Sequence, residues 1–220
     1  QKSLPSLRKK RIGNDIYYLA RPIQQDKGEQ WMTSNQIEYL ANSPSQFWTE
    51  IGGGKLGQLY VEVIGIDRLI NLDRASLIPG ETTDAYVTCA FEDAAITTDV
   101  IKDRKSPRFL PWTRRAFKFN INHISSNLFI GCFDHDMGDN PDDPIGRLNI
   151  PLGRFVPNTT YNLSYKLYDT DQVSNRSPRG TIHLRMRIEH TNHRGIFFNA
   201  LQSPSSKYTI HFDNKQNYRH

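Results

Sequence analysis

From residue 57 onward, apolar and polar positions alternate along the chain with a period of two. In the first such segment Leu59, Val61 and Val63 alternate with Tyr60 and Glu62, as in a half-buried strand. Similar patterns predict seven further strands, at 85–91, 95–102, 117–121, 128–133, 145–152, 161–168 and 182–189. No helical repeat separates these segments. The pattern therefore predicts an all-β domain, an eight-stranded antiparallel β-sandwich over residues 55–190.

The two flanks of this region lack the alternation. Residues 1–54 are predicted to form a mostly irregular, basic N-terminal arm and linker with one short helix, which Thr33 and Gln36 begin as a capping box and Ser43-Pro44 ends. A short strand at 16–19 is possible. Residues 191–220 are polar and are predicted to be a C-terminal tail or the start of a further segment. We expect the chain to be a segment of a larger protein.

Composition narrows the class of protein. The chain has 220 residues, a net charge of +5 and 37% hydrophobic residues. No apolar run approaches the ~20 residues of a membrane helix, and no secretory signal is recognisable. Cys89 and Cys132 lie within strand patterns, which predicts buried free thiols and a cytoplasmic protein. Basic residues cluster at 2–11 and 102–115, and such clusters suit anionic lipid or nucleic acid.

The most unusual segment is the acidic loop that follows the strand at 128–133. Residues 134–144 contain five aspartates together with glycine and proline, which is turn composition. Carboxylates packed this closely repel one another, so the loop is either a solvated turn or a site for a hard cation such as Ca²⁺. It is not an EF-hand, since Asp139 and Ile145 occupy the positions that require Gly and Glu.

A second set of carboxylates brackets the loop after the first strand. In a sandwich, alternate inter-strand loops emerge at the same end, so the loops at 67–83, 103–113 and 134–144 should share one rim. Five side chains would then converge, enough for one to three calcium ions: Asp73, Asp84, Asp134, Asp136 and Asp143.

Four motifs in this order resemble the C2 domain family. They are the opening strand from Gly57 to Asp73, Thr83–Val87, Trp112 with Phe117 and Phe119, and Phe133–Asp136 with Asp143 before Gly146. The resemblance covers about residues 56–190, and its strand order is similar to the circular permutation called type II. It implies two or three Ca²⁺ ions held by the five aspartates above, with Asp139 and Asp142 as possible extra ligands. The first loop is longer than usual, and the third carries one extra residue before Asp143.

The resemblance implies calcium-dependent binding to anionic phospholipid membranes, which would target or tether a larger intracellular protein. Apolar residues at the loop crowns, Leu77, Ile78 and Met137, could insert into the interface, although the first two could instead pack on their own loop. A basic patch could bind phosphoinositide headgroups, or it could be a solvated strand edge: Lys102, Arg104, Lys105 and Arg108.

A second function remains open, namely a calcium-independent scaffold that binds a protein partner through its arms. The aromatic residues there favour it: Trp31, Phe47, Trp48, Phe197 and Phe198. We expect no enzyme, since no nucleophile elbow is present and His190 with His193 lacks zinc-site spacing. Nucleic-acid binding is not expected, because the acidic rim would repel phosphates.

Overall fold

The computed structural model describes residues 9–12, 15–20, 30–70, 83–102, 104–136, 141–169 and 177–202. Within these ranges the chain forms mainly strands. The strands are Lys9–Ile12 (β1), Asp15–Ala20 (β2), Gln30–Thr33 (β3), Thr49–Ile51 (β4), Gly57–Asp67 (β5), Ala85–Phe91 (β6), Ala94–Thr97 (β7), Ala116–Ile121 (β8), Asn127–Asp134 (β9), Asp143–Pro151 (β10), Thr160–Lys166 (β11) and Thr181–His190 (β12). The helices are Ser34–Asn42 (α1) and His193–Gln202 (α2), with a 3-10 turn at Leu152–Arg154.

Two sheets form the predicted sandwich. One has the order β10-β9-β6-β7, and the other has the order β11-β12-β5-β8-β4. The eight strands from β5 to β12 correspond to the eight predicted ones, and the ladders among them are antiparallel. The all-β antiparallel sandwich is therefore confirmed.

The core lies between the sheets, where the inward positions of the alternating strands meet. Leu59 and Phe119 from the five-stranded sheet and Val87 and Ile130 from the four-stranded sheet are all buried in it. In β12 the inward residues are Ile182, Leu184, Met186 and Ile188, the positions that the period-two pattern selects. Alternation thus determines which face of each strand contributes apolar area to the core.

The two cysteines lie in this core as buried free thiols, as predicted. Burial raises the pKa of the Cys89 thiol to about 12 and also raises the pKa of Cys132, where the charge of Asp134 adds to the effect. Neither side chain is therefore a thiolate at neutral pH, which makes both poor nucleophiles.

The segment before residue 55 contains more regular structure than the expected irregular arm. Strands β1, β2 and β3 form a separate three-stranded sheet, and β4 joins the five-stranded sheet parallel to β8. Helix α1 is confirmed, including its capping box, in which Thr33 Oγ1 accepts from the backbone N–H of Gln36 and the Gln36 side chain accepts from the N–H of Thr33. The absence of alternation in this segment concealed strands that are only three to six residues long.

A buried charged cluster joins this segment to the sandwich. Arg115 is fully buried and donates hydrogen bonds to the carbonyls of Ala41, Ser43 and Phe109 and to Ser45 Oγ. Glu62, also buried, accepts from the Ser45 N–H at 2.8 Å and from Arg185 at 2.6 Å. Residues 41–45 therefore belong to the same hydrogen-bonded unit as β5, β8 and β12.

The chain after β12 also differs from the expected irregular tail, because it forms helix α2. Ile196 is buried at the end of the sandwich that carries Leu56 and Asn122, whereas Phe197 and Phe198 are about half exposed. Among the described residues, no helix is long and apolar enough to cross a membrane.

Candidate functional site

The predicted rim is the edge of the sandwich at which β5 and β9 end and β6 and β10 begin. Asp84 directly precedes β6, Asp134 is the last residue of β9, and Asp143 is the first residue of β10. The segment at 104–105 lies at the same edge, because the Arg104 N–H donates to the Thr83 carbonyl and the Leu69 N–H donates to the Lys105 carbonyl. The described parts of the three loops are adjacent, as expected for alternate loops.

Two of the predicted ligands, Asp84 and Asp134, are in direct contact. The backbone N–H of Asp84 donates to Asp134 Oδ1 at 2.7 Å, and the N–H of His135 donates to the Asp84 carbonyl at 2.9 Å. Asp134 continues the inward positions of β9 after Ile130 and Cys132, so its carboxylate is 3% exposed. The alternation of β9 therefore places this carboxylate under the rim rather than in open solvent.

The remaining described ligands flank this pair. Asp143 stands opposite Asp134 in the β9–β10 ladder, while Ala85 stands opposite Asp134 on the other side. Asp143 is exposed, and Asp136 is partly exposed two residues beyond the end of β9. Backbone register thus gathers Asp84, Asp134 and Asp143 at the ends of three neighbouring strands.

Asp142, a possible extra ligand in the sequence analysis, is engaged by protein donors on both oxygens. Its Oδ2 accepts from the Tyr86 hydroxyl at 2.6 Å, and its Oδ1 contacts His135 Nδ1 at 3.0 Å and accepts from the Asp136 N–H at 3.1 Å. Burial alone would raise the pKa of Asp142, but these hydrogen bonds outweigh burial and lower it. The side chain therefore organises the loop around Asp136.

Tyr86 is the residue of this site that the sequence reading did not single out. Burial, together with the Asp142 carboxylate, raises the pKa of its phenol. Its ring stacks on Phe133, its partner in the β6–β9 ladder, at a centroid distance of 5.5 Å. Its position in the Asp84-Ala85-Tyr86 motif was visible in the sequence, but its distance from Asp142 along the chain was too great for any local pattern to connect them.

Several predicted residues lie outside the part of the chain that the structure describes. They are Asp73, Leu77, Ile78, Met137 and Asp139. Their predicted roles, as ligands for the two aspartates and as membrane-inserting residues for the three apolar side chains, stay predictions.

The four residues of the predicted basic patch differ in their surroundings. The Lys102 ammonium lies 4.0 Å from Asp84 Oδ2, and Lys105 is exposed nearby. Arg104 is partly exposed beside Thr83. Arg108 instead pairs with Asp67 at 2.7 Å and with Glu38 at 2.6 Å, and its side chain is 16% exposed. Much of the Arg108 charge is therefore balanced within the protein.

The donor chemistry of the rim suits calcium, which prefers carboxylate and carbonyl oxygens. Within the described ranges, however, no three His, Cys, Asp or Glu side chains lie close enough together to hold a metal ion by themselves. The described residues thus supply part of a ligand set, and a complete site requires donors from the segments at 71–82 and 137–140.

Comparisons with known proteins agree on the fold. A family model described as "C2 domain" matches residues 57–167. A C2 domain of plant Extended Synaptotagmin 1 superposes with a TM-score of 0.52 at 16% identity, over 62% of this chain and 96% of that chain. Human GIVD cytosolic phospholipase A2 gives 0.49 at 19% identity, over 64% of this chain and 17% of that one. Calcium-bound tandem C2 domains of Extended-Synaptotagmin 2 give 0.49 at 22%, over 62% and 47%. No curated protein sequence matches significantly.

Proposed function

Because this chain belongs to the C2 domain family, we propose that it binds anionic phospholipid membranes in a calcium-dependent manner. The binding surface is the rim that carries Asp84, Asp134, Asp136 and Asp143, completed by Asp73 from the preceding loop. The protein acts at the membrane periphery and targets a larger polypeptide there.

The observation that carries this proposal is the contact between Asp84 and Asp134. These residues are 50 positions apart in the sequence, yet the backbone N–H of one donates to the carboxylate of the other at 2.7 Å. The contact supports the convergence of carboxylates from separate loops, which a calcium site on a sandwich rim requires. Asp143, opposite Asp134 in the ladder, adds a third carboxylate at the same edge.

The charge of the rim supplies the calcium dependence. Without metal, its carboxylates repel the phosphates of an anionic bilayer. Bound Ca²⁺ would be the largest local charge and would reverse the field. Lipid phosphate oxygens can then complete the coordination shell, because calcium accepts about six to eight oxygen ligands.

Two further sets of residues would strengthen attachment. Leu77, Ile78 and Met137 at the loop crowns would each contribute roughly 1–2 kcal/mol on insertion. Lys102, Arg104 and Lys105, at the edge next to Thr83 and Asp84, would each contribute about 1 kcal/mol near an anionic surface. Phosphoinositide headgroups, with their several phosphates, are the lipids that such a group favours. Arg108 contributes less, since Asp67 and Glu38 hold it.

The proposal is tested by replacing two rim carboxylates, in the double variant Asp134→Asn with Asp136→Asn. Asparagine keeps the acceptor for the Asp84 N–H but removes the charge. We expect sedimentation with phosphatidylcholine–phosphatidylserine vesicles in Ca²⁺ to fall to the level measured with chelator. Free Ca²⁺ at a hundredfold excess over its Kd should stabilise the wild-type protein by about 2.7 kcal/mol, and this gain should also disappear.

The matched control is Asp93→Asn, because Asp93 is exposed in the β6–β7 turn at the opposite end of the sandwich. It should retain calcium-dependent sedimentation and the thermal shift. Unchanged sedimentation of the rim variant, with a native circular dichroism spectrum, would contradict the proposal.

A second candidate is a calcium-independent scaffold. Phe47 and Trp48 are 54% and 43% exposed in the segment between α1 and β4, and Trp48 rests edge-on against Tyr60 at 5.4 Å. Exposed aromatic residues of this kind are frequent in protein interfaces. A scaffold would show no calcium-induced gain in melting temperature.

A further inference from the structure

The outer face of the five-stranded sheet carries a groove between α1 and β11, away from the aspartate rim. The groove has a volume of about 450 Å³. Three of its residues form a continuous hydrogen-bonded series, in which Ser164 Oγ lies 2.9 Å from His183 Nδ1 and His183 Nε2 lies 2.8 Å from Asp67 Oδ2. They come from β11, β12 and β5, and their sequence separations gave no sign of the arrangement.

Strand register and one bulge bring these residues together. Ser164 and His183 are direct partners in the β11–β12 ladder, both on the outward face. In β5 the inward positions are Leu59, Val61 and Val63, so strict alternation would also turn residue 67 inward. The β5–β12 register shifts between His183 and Leu184, and beyond the shift Ile66 is buried while Asp67 is partly exposed. The bulge therefore re-aims Asp67 to the face that carries His183.

The hydrogen-bond partners determine the direction of the series. Asp67 Oδ1 accepts from Arg108 at 2.7 Å. Although burial raises the pKa of Asp67, the hydrogen bonds from Arg108 and His183 lower it overall, so the carboxylate is ionised and can only accept. His183 Nε2 must then carry the proton that Asp67 accepts. In the neutral ring Nδ1 is left as an acceptor, and the Ser164 hydroxyl donates to it.

We propose that Ser164 is a base-activated nucleophile that cleaves carboxylic esters in this groove. His183 Nδ1 takes the Ser164 proton as Oγ forms a bond to the acyl carbon, the ester C–O bond breaks, and the proton passes to the leaving alcohol. Water then hydrolyses the acyl-serine by the same route. Asp67 is a positioning residue that holds the ring and its tautomer. Asn162, two residues before Ser164 on the same face, offers an amide donor for the oxyanion.

The probe that tests the nucleophile is an alkyl fluorophosphonate, applied to the full chain in the presence of EDTA. Its reaction forms an Oγ–P bond and expels fluoride, which peptide mass mapping locates. We expect label on Ser164, none at that position in Ser164→Ala, and a labelling rate at least about tenfold lower in His183→Gln, since a positioned base contributes roughly 10²–10⁴ to rate. Thr160→Ala, at an exposed hydroxyl earlier in β11, should label at the wild-type rate.

Turnover of a short-chain p-nitrophenyl ester provides the second measurement. Asp67→Asn should lower kcat with little change in KM, because Asp67 contacts the histidine and not the substrate. A folded wild-type protein without label at Ser164 overturns the proposal. Equal labelling of wild type and His183→Gln overturns it as well, since Ser164 would then react without a base. Because EDTA is present throughout, neither result depends on calcium binding.

Discussion

Two charged clusters of this protein are built on opposite principles. At the rim, the acidic side chains of Asp84, Asp134, Asp136 and Asp143 accumulate around strand ends, with Lys102 4.0 Å from Asp84. In the cluster around Arg115, one fully buried guanidinium meets three carbonyls and a hydroxyl. The rim concentrates one sign of charge, whereas the buried cluster distributes hydrogen bonds among partners that the fold supplies.

This difference separates a binding surface from a structural joint. A surplus of carboxylates costs free energy that an added cation can recover, so the rim gains from a ligand. A buried arginine that finds its acceptors within the chain requires no ligand, and losing those acceptors is costly. The joint also shows why residues 41–45 accompany the sandwich, since they provide three of the groups that Arg115 contacts.

The largest expected effect comes from breaking the joint with Arg115→Leu. Burial lowers the pKa of Arg115 to about 10, although Glu62 opposes this shift, so the side chain is charged at neutral pH. Its removal leaves carbonyls without donors and Glu62 with one cation fewer. We expect the free energy of unfolding to fall by about 3–5 kcal/mol, measured by urea denaturation.

The adjacent Arg114 provides the matched control for this variant. Its side chain is 50% exposed and lies 3.8 Å from Asp99, so Arg114→Leu should cost less than about 1 kcal/mol. Equal losses in the two variants would show that burial does not distinguish the joint from a surface pair.

The contrast also explains how far the sequence could be interpreted. Alternation identified the core strands and the inward residues of β12, and the position of Asp134 at the end of an inward row anticipated its place beside Asp84. The joint could not be predicted, because Arg115 meets acceptors more than 70 residues away. Asp67 was equally hidden, since the bulge in β5 breaks the period that predicts its face. Backbone acceptors and bulges leave no periodic signal.

A smaller effect is expected where the rim itself contains a structural element. Asp142→Asn replaces a carboxylate that accepts from Tyr86, His135 and the Asp136 N–H with an amide that adds donors of its own. We expect a loss of about 1–2 kcal/mol at pH 7. Because the pKa of Asp142 is lowered in the fold, its contribution is present above the unfolded pKa of about 3.9 and disappears as the pH falls through the folded value.

Denaturation of wild type and Asp142→Asn at pH 7 and near pH 3 measures this contribution. The difference between the two proteins should shrink at the lower pH. The exposed Asp93→Asn should show a smaller difference at both values. A difference for Asp142→Asn that is independent of pH would mean that its charge does not organise the loop.

The smallest expected effect sharpens the comparison at its only mixed point, the approach of Lys102 to Asp84. This prediction rests on the proposed calcium site. The pair is partly exposed, so Lys102→Gln should change stability by less than about 1 kcal/mol. Removing the positive charge should nevertheless strengthen calcium binding by up to about fivefold at low salt, the equivalent of ~1 kcal/mol for unit charges 4 Å apart in water. Raising the salt should shrink the gain. Calorimetric titration with Ca²⁺ measures it, and Lys118→Gln, which removes an ammonium paired with Glu50, should leave the affinity unchanged. Equal affinities for wild type and Lys102→Gln at low salt would mean that Lys102 does not compete with calcium for Asp84.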